Sequence, residues 1–123
     1  MSNPSPEFEL FDGAAARLYC GSRLDAREDW PFGPDVLVFK VGGKIFALLN
    51  FNDPAELSLK CDPDRAEILR ELYPAIVPGY HLNKRHWNTV TLDGSVPAAE
   101  CVGLIDHSYE LVAPKKKRQK SSQ

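Results

Sequence analysis

The amino-acid sequence predicts a single α+β domain, in which three helices pack against an antiparallel or mixed sheet of about five strands. The first observation is size, since 123 residues fit one domain with a modest core. The second is a pair of β-rich runs, residues 36–41 and 44–49, joined by Gly42 and Gly43, which is typical of a hairpin. The third is that short turns join consecutive strands between helical patterns, which predicts the order α-β-β-β-α-β-β-α.

The first helix is predicted over residues 8–19, where apolar residues recur at a helical period and Gly21 follows. The polar residues 22–29 are interpreted as a connection. Residues 30–34 (WPFGP) hold two prolines and a glycine, so they predict a rigid turn. The two strands of the hairpin are almost continuously apolar, which predicts that they are covered on both faces, or nearly so. In residues 56–60, polar and apolar residues alternate, which predicts a strand with one face exposed to solvent.

Asp62 and Pro63 predict the start of a second helix, because Asp caps a helix and Pro is favoured at its first position. Its apolar face is predicted from Ile68, Leu69, Leu72 and Tyr73, and Pro74 ends it. Residues 76–80 are predicted to be short and extended, and residues 87–92 a strand. A last helix is predicted after a cap at Ser95 or Val96, with Pro97 in its first turn. Its predicted core stripe is Ala98, Val102, Ile105, Tyr109 and Val112.

Around this domain, predicted at residues 8–113, we expect a disordered leader at residues 1–7 and a basic disordered tail at residues 114–123. No apolar run is long enough to span a bilayer, and the N-terminal residues lack the features of a signal peptide, so we expect a cytoplasmic protein without a membrane partner. Cys20, Cys61 and Cys101 form no C-x-x-C pair and are interpreted as reduced thiols in the core or at the surface.

The formal net charge of −2 hides an asymmetry. Five of the fifteen basic residues lie in the last nine positions, which leaves ten basic against seventeen acidic residues in the rest of the chain. They are Lys115, Lys116, Lys117, Arg118 and Lys120. The folded part is therefore acidic, which argues against a domain whose whole face binds phosphates.

The sequence offers no clear catalytic or cofactor motif. Asp106, His107 and Ser108 are consecutive, and neighbours on a helix point in different directions, so they cannot form a triad. The Gly42-Gly43 turn joins two strands, so no helix N-terminus would face a nucleotide phosphate. His81 and His86 lack the spacing of helical metal ligands. We therefore expect no enzyme activity, no metal and no cofactor.

Residues 81–88 (HLNKRHWN) have two interpretations. In the first, Lys84 and Arg85 pair with phosphates, while Asn83, Asn88, His81 or His86 contact sugars or base edges, and Trp87 or Tyr80 stacks on a base. In the second, the aromatic residues belong to the core, Asn83 holds a turn, Lys84 and Arg85 are solvated, and His86 makes a local hydrogen bond. The basic tail likewise predicts non-specific nucleic-acid binding, a nuclear import signal in a eukaryote, or a solvated end.

Several long strings resemble the MmcQ/YjbR family: residues 30–44 (WPFGPDVLVFKVGGK), 59–63 (LKCDP), 77–90 (VPGYHLNKRHWNTV), 92–97 (LDGSVP) and 104–109 (LIDHSY). The resemblance implies a compact fold similar to secretion chaperones and frataxin-like (CyaY-like) proteins. It also implies DNA binding, by likeness to the double-wing domain of a phage transcription factor, and it brings no catalytic residues. The DNA contacts would then be Lys40, Lys44, His81, Asn83, Lys84, Arg85, His86, Trp87 and Asn88.

On this basis, we expect a monomer that binds double-stranded DNA weakly in a regulatory role. The alternative is a protein–protein interaction module, in which residues 81–88 form a structural turn or the rim of a partner-binding surface. In that case an exposed apolar patch or a dimer face is expected.

Overall fold

The computed structural model describes residues 10–79 and 82–114, and these form an α+β fold, as the sequence predicts. The helices are α1 (Gly13–Gly21), α2 (Pro63–Leu72) and α3 (Ala98–Val112). The strands are β1 (Arg27–Asp29), β2 (Val36–Val41), β3 (Lys44–Asn50), β4 (Glu56–Lys60), β5 (Ile76–Pro78) and β6 (Trp87–Thr91). Within the described residues, the six strands make one antiparallel sheet in the order β1-β2-β3-β4-β6-β5. The predicted leader, residues 1–7, lies outside the described residues, as does the tail beyond Pro114.

Strand β1 is an addition to the predicted fold. Residues 22–29 were interpreted as a connection, and that prediction was wrong for Arg27–Asp29, which pair with β2 at the edge of the sheet. All three residues are exposed and charged. No apolar alternation marks such an edge strand in the sequence, because it is held by backbone hydrogen bonds to β2 and by surface ion pairs rather than by buried apolar side chains.

The hairpin of β2 and β3 is confirmed, with Gly42 and Gly43 at φ 60° and 81°. Both glycines adopt left-handed conformations that other residues rarely take. A side chain at Gly42 would also collide with Pro114, since its Cβ would lie 2.9 Å from the Pro114 Cγ. Glycine at position 42 is therefore required for two reasons: its left-handed backbone conformation and its close contact with Pro114.

The starts of the helices match the prediction to different degrees. Asp62 caps α2 as predicted, with its Oδ2 accepting a hydrogen bond from the Arg65 N–H at 3.2 Å. Helix α1 starts later than predicted, because Asp12 caps it. Helix α3 starts at Ala98, so the predicted cap at Ser95 or Val96 was wrong. Ser95 instead belongs to the preceding turn, where its N–H donates to the Asp93 Oδ1 at 3.0 Å.

The apolar faces of α2 and α3 also differ in part from the prediction. Ile68 and Leu72 of α2 are exposed, and the residues that α2 buries are Ala66 and Leu69. Helix α2 packs near the β5 edge of the sheet, where only a narrow stripe of it is covered. In α3, Ala98 and Ile105 are buried as predicted, the other three predicted positions are partly buried, and Cys101, Leu104 and Ser108 complete the buried stripe.

The core lies between the helices and one face of the sheet. Leu37, Phe39, Phe46 and Leu49 are fully buried there, and α1 and α3 both contact β3 and β4. Ser108 ties these layers together, since its Oγ donates to the Phe46 carbonyl at 2.6 Å and accepts from the Lys60 N–H at 2.9 Å.

The opposite face of the sheet, which we call the open face, has no helix over it among the described residues. Residues of β2 alternate, so Val36 and Val38 point to this face while their neighbours enter the core. Val38 is fully buried, but Val36, Ile45 and Leu48 are only partly covered. The prediction that both strands are covered on both faces, or nearly so, therefore holds fully for Val38 and only in part for Val36, Ile45 and Leu48.

The three cysteines are buried and free. Burial raises the pKa of the Cys20 thiol to about 12 and that of Cys101 to about 11. Burial also raises the pKa of Cys61. The raised pKa values favour the protonated thiol at neutral pH, and only the thiolate form is a nucleophile. Among the described helices, none combines the length and apolarity that a membrane crossing requires.

Candidate nucleic-acid interface

The antiparallel register gathers basic residues at one end of the sheet. Strands β2 and β4 end where β3 and β6 begin, as the pairs Val41–Lys44 and Lys60–Trp87 show. The segment that enters β6, residues 82–86, lies at the same end. We call this the basic end and define it by Lys40, Lys44, Lys60, Lys84 and Arg85.

The opposite end of the sheet is acidic. A row of paired residues crosses four strands there, from Val36 to Asn50, Glu56 and Thr91. Glu56 lies in this row, and three more carboxylates lie close to it in the sequence. We call this the acidic end of the sheet and define it by Asp35, Asp53, Glu56 and Asp93. The sheet is thus polarised along its strands, although the net charge of the chain is only −2.

The C-terminal tail begins at the basic end. Pro114, the last described residue, lies against Gly42 in the β2–β3 turn. The five basic residues of the tail follow within six positions of Pro114 in the sequence. Those residues lie outside the described structure, and the described chain ends at Pro114, beside Lys40 and Gly42.

Residues 82–87 form a hydrogen-bonded turn rather than a free loop. The Asn83 Oδ1 accepts from the Arg85 N–H at 2.9 Å, and the Asn83 carbonyl accepts from the His86 N–H at 3.2 Å. The His86 carbonyl in turn accepts from the Cys61 N–H at 2.8 Å, which fastens the turn to the end of β4. Asn83 therefore holds the turn, and the turn presents Arg85 to solvent.

Arg70 of α2 also holds the 82–87 turn in place through hydrogen bonds. Its Nη2 donates to the Lys84 carbonyl at 2.6 Å, and its Nε donates to the Asn88 Oδ1 at 2.8 Å. Asn88 is 3% exposed, and its Nδ2 donates to the Ala66 carbonyl at 3.4 Å. The Asn88 side chain thus joins β6 to α2 and does not reach the surface where a nucleic acid would bind.

The remaining nominated residues differ in how free their side chains are. Lys84 donates from Nζ to the Gly79 carbonyl at 3.1 Å, and Lys40 pairs with the Asp29 carboxylate at 3.3 Å. Lys44 and Arg85 are exposed. His86 is partly buried, and His81 lies outside the described residues. Lys44 and Arg85 are therefore the best-presented cations of the basic end.

Two clefts at this end show that its charge is mixed. One cleft, of about 230 Å³, lies between the start of α2 and the turn, where Asp64 and Glu67 face Arg70, Lys84 and Arg85. The other lies beside Gly42, where acidic and basic residues of β1 meet Lys40. Carboxylates thus offset part of the positive charge of the folded domain.

Trp87 closes the turn as the first residue of β6 and does not belong to the core cluster. It starts β6 opposite Lys60 and points to the open face. There it lines a groove of about 450 Å³, which we call the open-face groove. Its apolar lining residues are Phe32, Val36, Ile45, Leu48, Leu82 and Trp87.

Sequence reasoning missed Lys60, Arg70 and this groove. Lys60 stands in a strand with an ordinary alternating pattern, and Arg70 stands on the polar side of a helix. Only the pairing of β4 with β6 and the docking of α2 bring these residues to the basic end. The sole available signal was the Lys60–Cys61–Asp62–Pro63 run, which places Lys60 at a strand end before a helix cap.

The consecutive residues Asp106, His107 and Ser108 have three separate sets of partners. Asp106 accepts from the Tyr19 hydroxyl at 2.9 Å and pairs with Arg23 at 3.1 Å. The His107 Nε2 accepts from the Asp62 N–H at 3.1 Å, while Ser108 bonds to the sheet. Their divergence follows the geometric argument against a triad at these positions.

The fold and site define a class: an α+β protein with a one-sided helix layer, an open sheet face and a polarised sheet. A sequence model of the family described as YjbR matches residues 22–111. The chain belongs to the YjbR family. It is 37% identical over 110 residues to the uncharacterised protein YjbR of Escherichia coli K12, covering 82% of this chain and 89% of that protein. It is 43% identical over 84 residues to the uncharacterised protein YbdF of Escherichia coli O157:H7, covering 68% of this chain and 69% of that one.

Solved structures agree with this fold. A crystal structure of a Deinococcus radiodurans protein matches with a TM-score of 0.82 at 41% identity, covering 95% of this chain and 91% of that chain. A crystal structure of a Pseudomonas syringae protein matches with a TM-score of 0.66 at 33% identity, covering 76% of this chain and 92% of that chain.

Proposed function

We propose that this protein binds double-stranded DNA weakly and without catalysis, through the basic end of its sheet and the basic tail attached there. The observation that carries the proposal is the strand register, which collects Lys40, Lys44 and Lys60 beside the turn that presents Arg85. Phosphate contacts depend on such clustered cations, because each one releases counterions from DNA.

The polarity of the sheet determines how the duplex would approach. Carboxylates at the acidic end repel phosphates, so the duplex meets the β2–β3 turn and the 82–87 turn edge-on rather than lying across the open face. The mixed clefts limit the affinity of the folded domain, and the tail supplies additional non-specific attraction.

The test is fluorescence anisotropy with a labelled random duplex, at low and at physiological salt. The full chain is compared with a version that ends at Pro114, and each is tested with the double variant Lys44→Ala/Arg85→Ala. Both side chains are exposed, so the variant should fold normally. Arg17→Ala is the control for loss of one positive charge away from the basic end, because Arg17 is an exposed residue of α1 that pairs with Glu28.

We expect the truncated chain to bind at low salt, and Lys44→Ala/Arg85→Ala to weaken binding in both chain lengths. The slope of log K against log salt should become shallower by about 0.9 for each lost phosphate contact. Arg17→Ala should leave the affinity and the slope unchanged. The proposal fails if the truncated chain does not bind, or if Arg17→Ala weakens binding as much as the double variant.

Failure of all DNA binding would favour the alternative, a protein–protein interaction module. The observation that favours this second function is the set of exposed apolar residues around the open face, including Phe32 at 64% and Val77 at 45% exposure.

A further inference from the structure

The open-face groove has the size and lining of a small-molecule site. Its volume of about 450 Å³ falls in the range of roughly 300–1,000 Å³ that is typical of ligand pockets. The sheet forms its floor, while Phe32 flanks it from the β1–β2 loop and Leu82 from the segment before β6. Leu82 is held close to Trp87, because both approach Gly79, where an added Cβ would lie 3.2 Å and 2.8 Å from their Cβ atoms.

The groove crosses four strands, from Val36 of β2 to Trp87 and Thr89 of β6. Its polar lining begins at Asn50 and Glu56, which are paired across β3 and β4, and continues to Ser58. Trp87 lies at the far end, opposite Lys60. Glu56 and Lys60 are four positions apart along β4, which corresponds to about 13 Å at roughly 3.3 Å per residue. An occupant that reaches from Glu56 to Trp87 should therefore be elongated.

The charge of the groove indicates which head group an occupant should carry. Of the described residues that line it, Glu56 alone is ionisable. Ser58 and Thr89 share a hydrogen bond of 2.8 Å between their hydroxyls, and the Asn50 Oδ1 accepts from the Asn52 N–H at 3.1 Å. Asp35, Asp53 and Asp93 lie close in sequence to the row of paired residues that contains Glu56, so this end of the sheet favours a cation and opposes an anion.

We propose that the open-face groove binds an elongated apolar amine, with its ammonium group at Glu56 and its apolar body between Phe32, Leu48 and Trp87. The body removes partly exposed apolar side chains from water. The ammonium group gains an ionic hydrogen bond, and the face of Trp87 offers an apolar, electron-rich wall. The ammonium position at Glu56 lies at the acidic end of the sheet, so the proposal does not depend on DNA binding, although the Trp87 end of the groove adjoins the basic end.

The experiment uses the tryptophan of the groove as its reporter. The chain has two tryptophans, so Trp30→Phe leaves Trp87 as the single fluorophore of this kind. Octylammonium, octanol and octanoate are titrated separately below the concentrations at which they aggregate. They share one apolar body and differ in head-group charge, which separates apolar burial from recognition of the cation.

We expect a saturable change in Trp87 fluorescence, with octylammonium binding several-fold more tightly than octanol and octanoate binding most weakly. Glu56→Gln should remove the preference for octylammonium over octanol, and Leu48→Asn should weaken all three. Glu71→Gln and Leu18→Asn are matched controls at exposed positions on the helices, and they should change nothing. Thermal melting of each variant verifies folding.

Three outcomes would overturn the proposal. The first is equal binding of the three compounds, or no saturable binding of any of them. The second is a preference for octylammonium that survives Glu56→Gln. The third is a ligand-free dimer that Leu48→Asn converts to monomers, since a second copy of the chain would then occupy the groove.

Discussion

The two faces of the sheet use the same strands for different purposes. On the covered face, Leu37, Phe39 and Leu49 are fully buried beneath the helices. On the open face, the alternate residues Val36 and Leu48 are only partly covered and line a groove. Because side chains alternate along a strand, one stretch of sequence serves both faces. The covered face holds the core, whereas the open face keeps partly exposed apolar residues around a groove.

The largest expected difference between the faces is in stability. Phe46→Ala should lower the free energy of unfolding by about 3–5 kcal/mol, because it opens a cavity in a fully buried site. It also removes the edge-on contact with Tyr109, whose ring centroid lies 5.3 Å away. Phe32→Ala on the open face is the control and should cost less than about 1 kcal/mol, since Phe32 is largely exposed. Chemical denaturation measures both, and equal losses would contradict the division between the faces.

A smaller difference is expected between two serines. Ser108→Ala on the covered face should cost about 1–3 kcal/mol, because the buried Lys60 N–H and Phe46 carbonyl each lose a partner. Ser58→Ala on the open face removes only the hydroxyl pair with Thr89 and should cost about 0.5–1.5 kcal/mol. The same denaturation experiment ranks them, and a larger loss for Ser58→Ala would reverse the comparison.

The smallest effect concerns pH on the helix side. Burial and the nearby Arg65 lower the pKa of His107 below its ordinary 6.5, and its Nε2 accepts from the Asp62 N–H. The unfolded chain therefore binds this proton more readily than the folded chain. The contribution of His107 to stability should be complete above pH 6.5 and should decline as pH falls toward the lowered pKa. Melting temperatures between pH 7.5 and pH 5 should show a slope that His107→Gln reduces, and an unchanged slope would contradict this role.

Prediction from the sequence succeeded where the signal was local. The Gly42–Gly43 turn and the Asp62–Pro63 helix start are determined by backbone preferences of a few adjacent residues, and both appear where predicted. The prediction missed strand β1, because an edge strand needs only a partner for its backbone and no particular side-chain pattern. The prediction that Ile68 and Leu72 belong to a buried face was wrong, because helical periodicity shows which residues share a face but not how much of that face the sheet covers.

The residues of the candidate sites also divide into those that the sequence identified and those that only tertiary contacts revealed. Residue type and resemblance identified Lys40, Lys44, Lys84 and Arg85 as candidates for phosphate contacts. They also nominated Asn88, whose amide is held inside by Arg70, eighteen positions earlier in the chain. Lys60 joins the basic end only through the pairing of β4 with β6, and the open-face groove combines residues of four strands and two connecting segments.

The sequence by itself determined the fold class, the family, most of the strands and helices, and the stock of basic residues at the C-terminus. Tertiary structure alone decided the polarity of the sheet, the burial of Asn88 and the existence of the groove. The physical reason is range: turns and caps depend on bonds between near neighbours, whereas strand register and helix docking depend on contacts between distant residues. Those contacts exist only once the core between the helices and the sheet has formed.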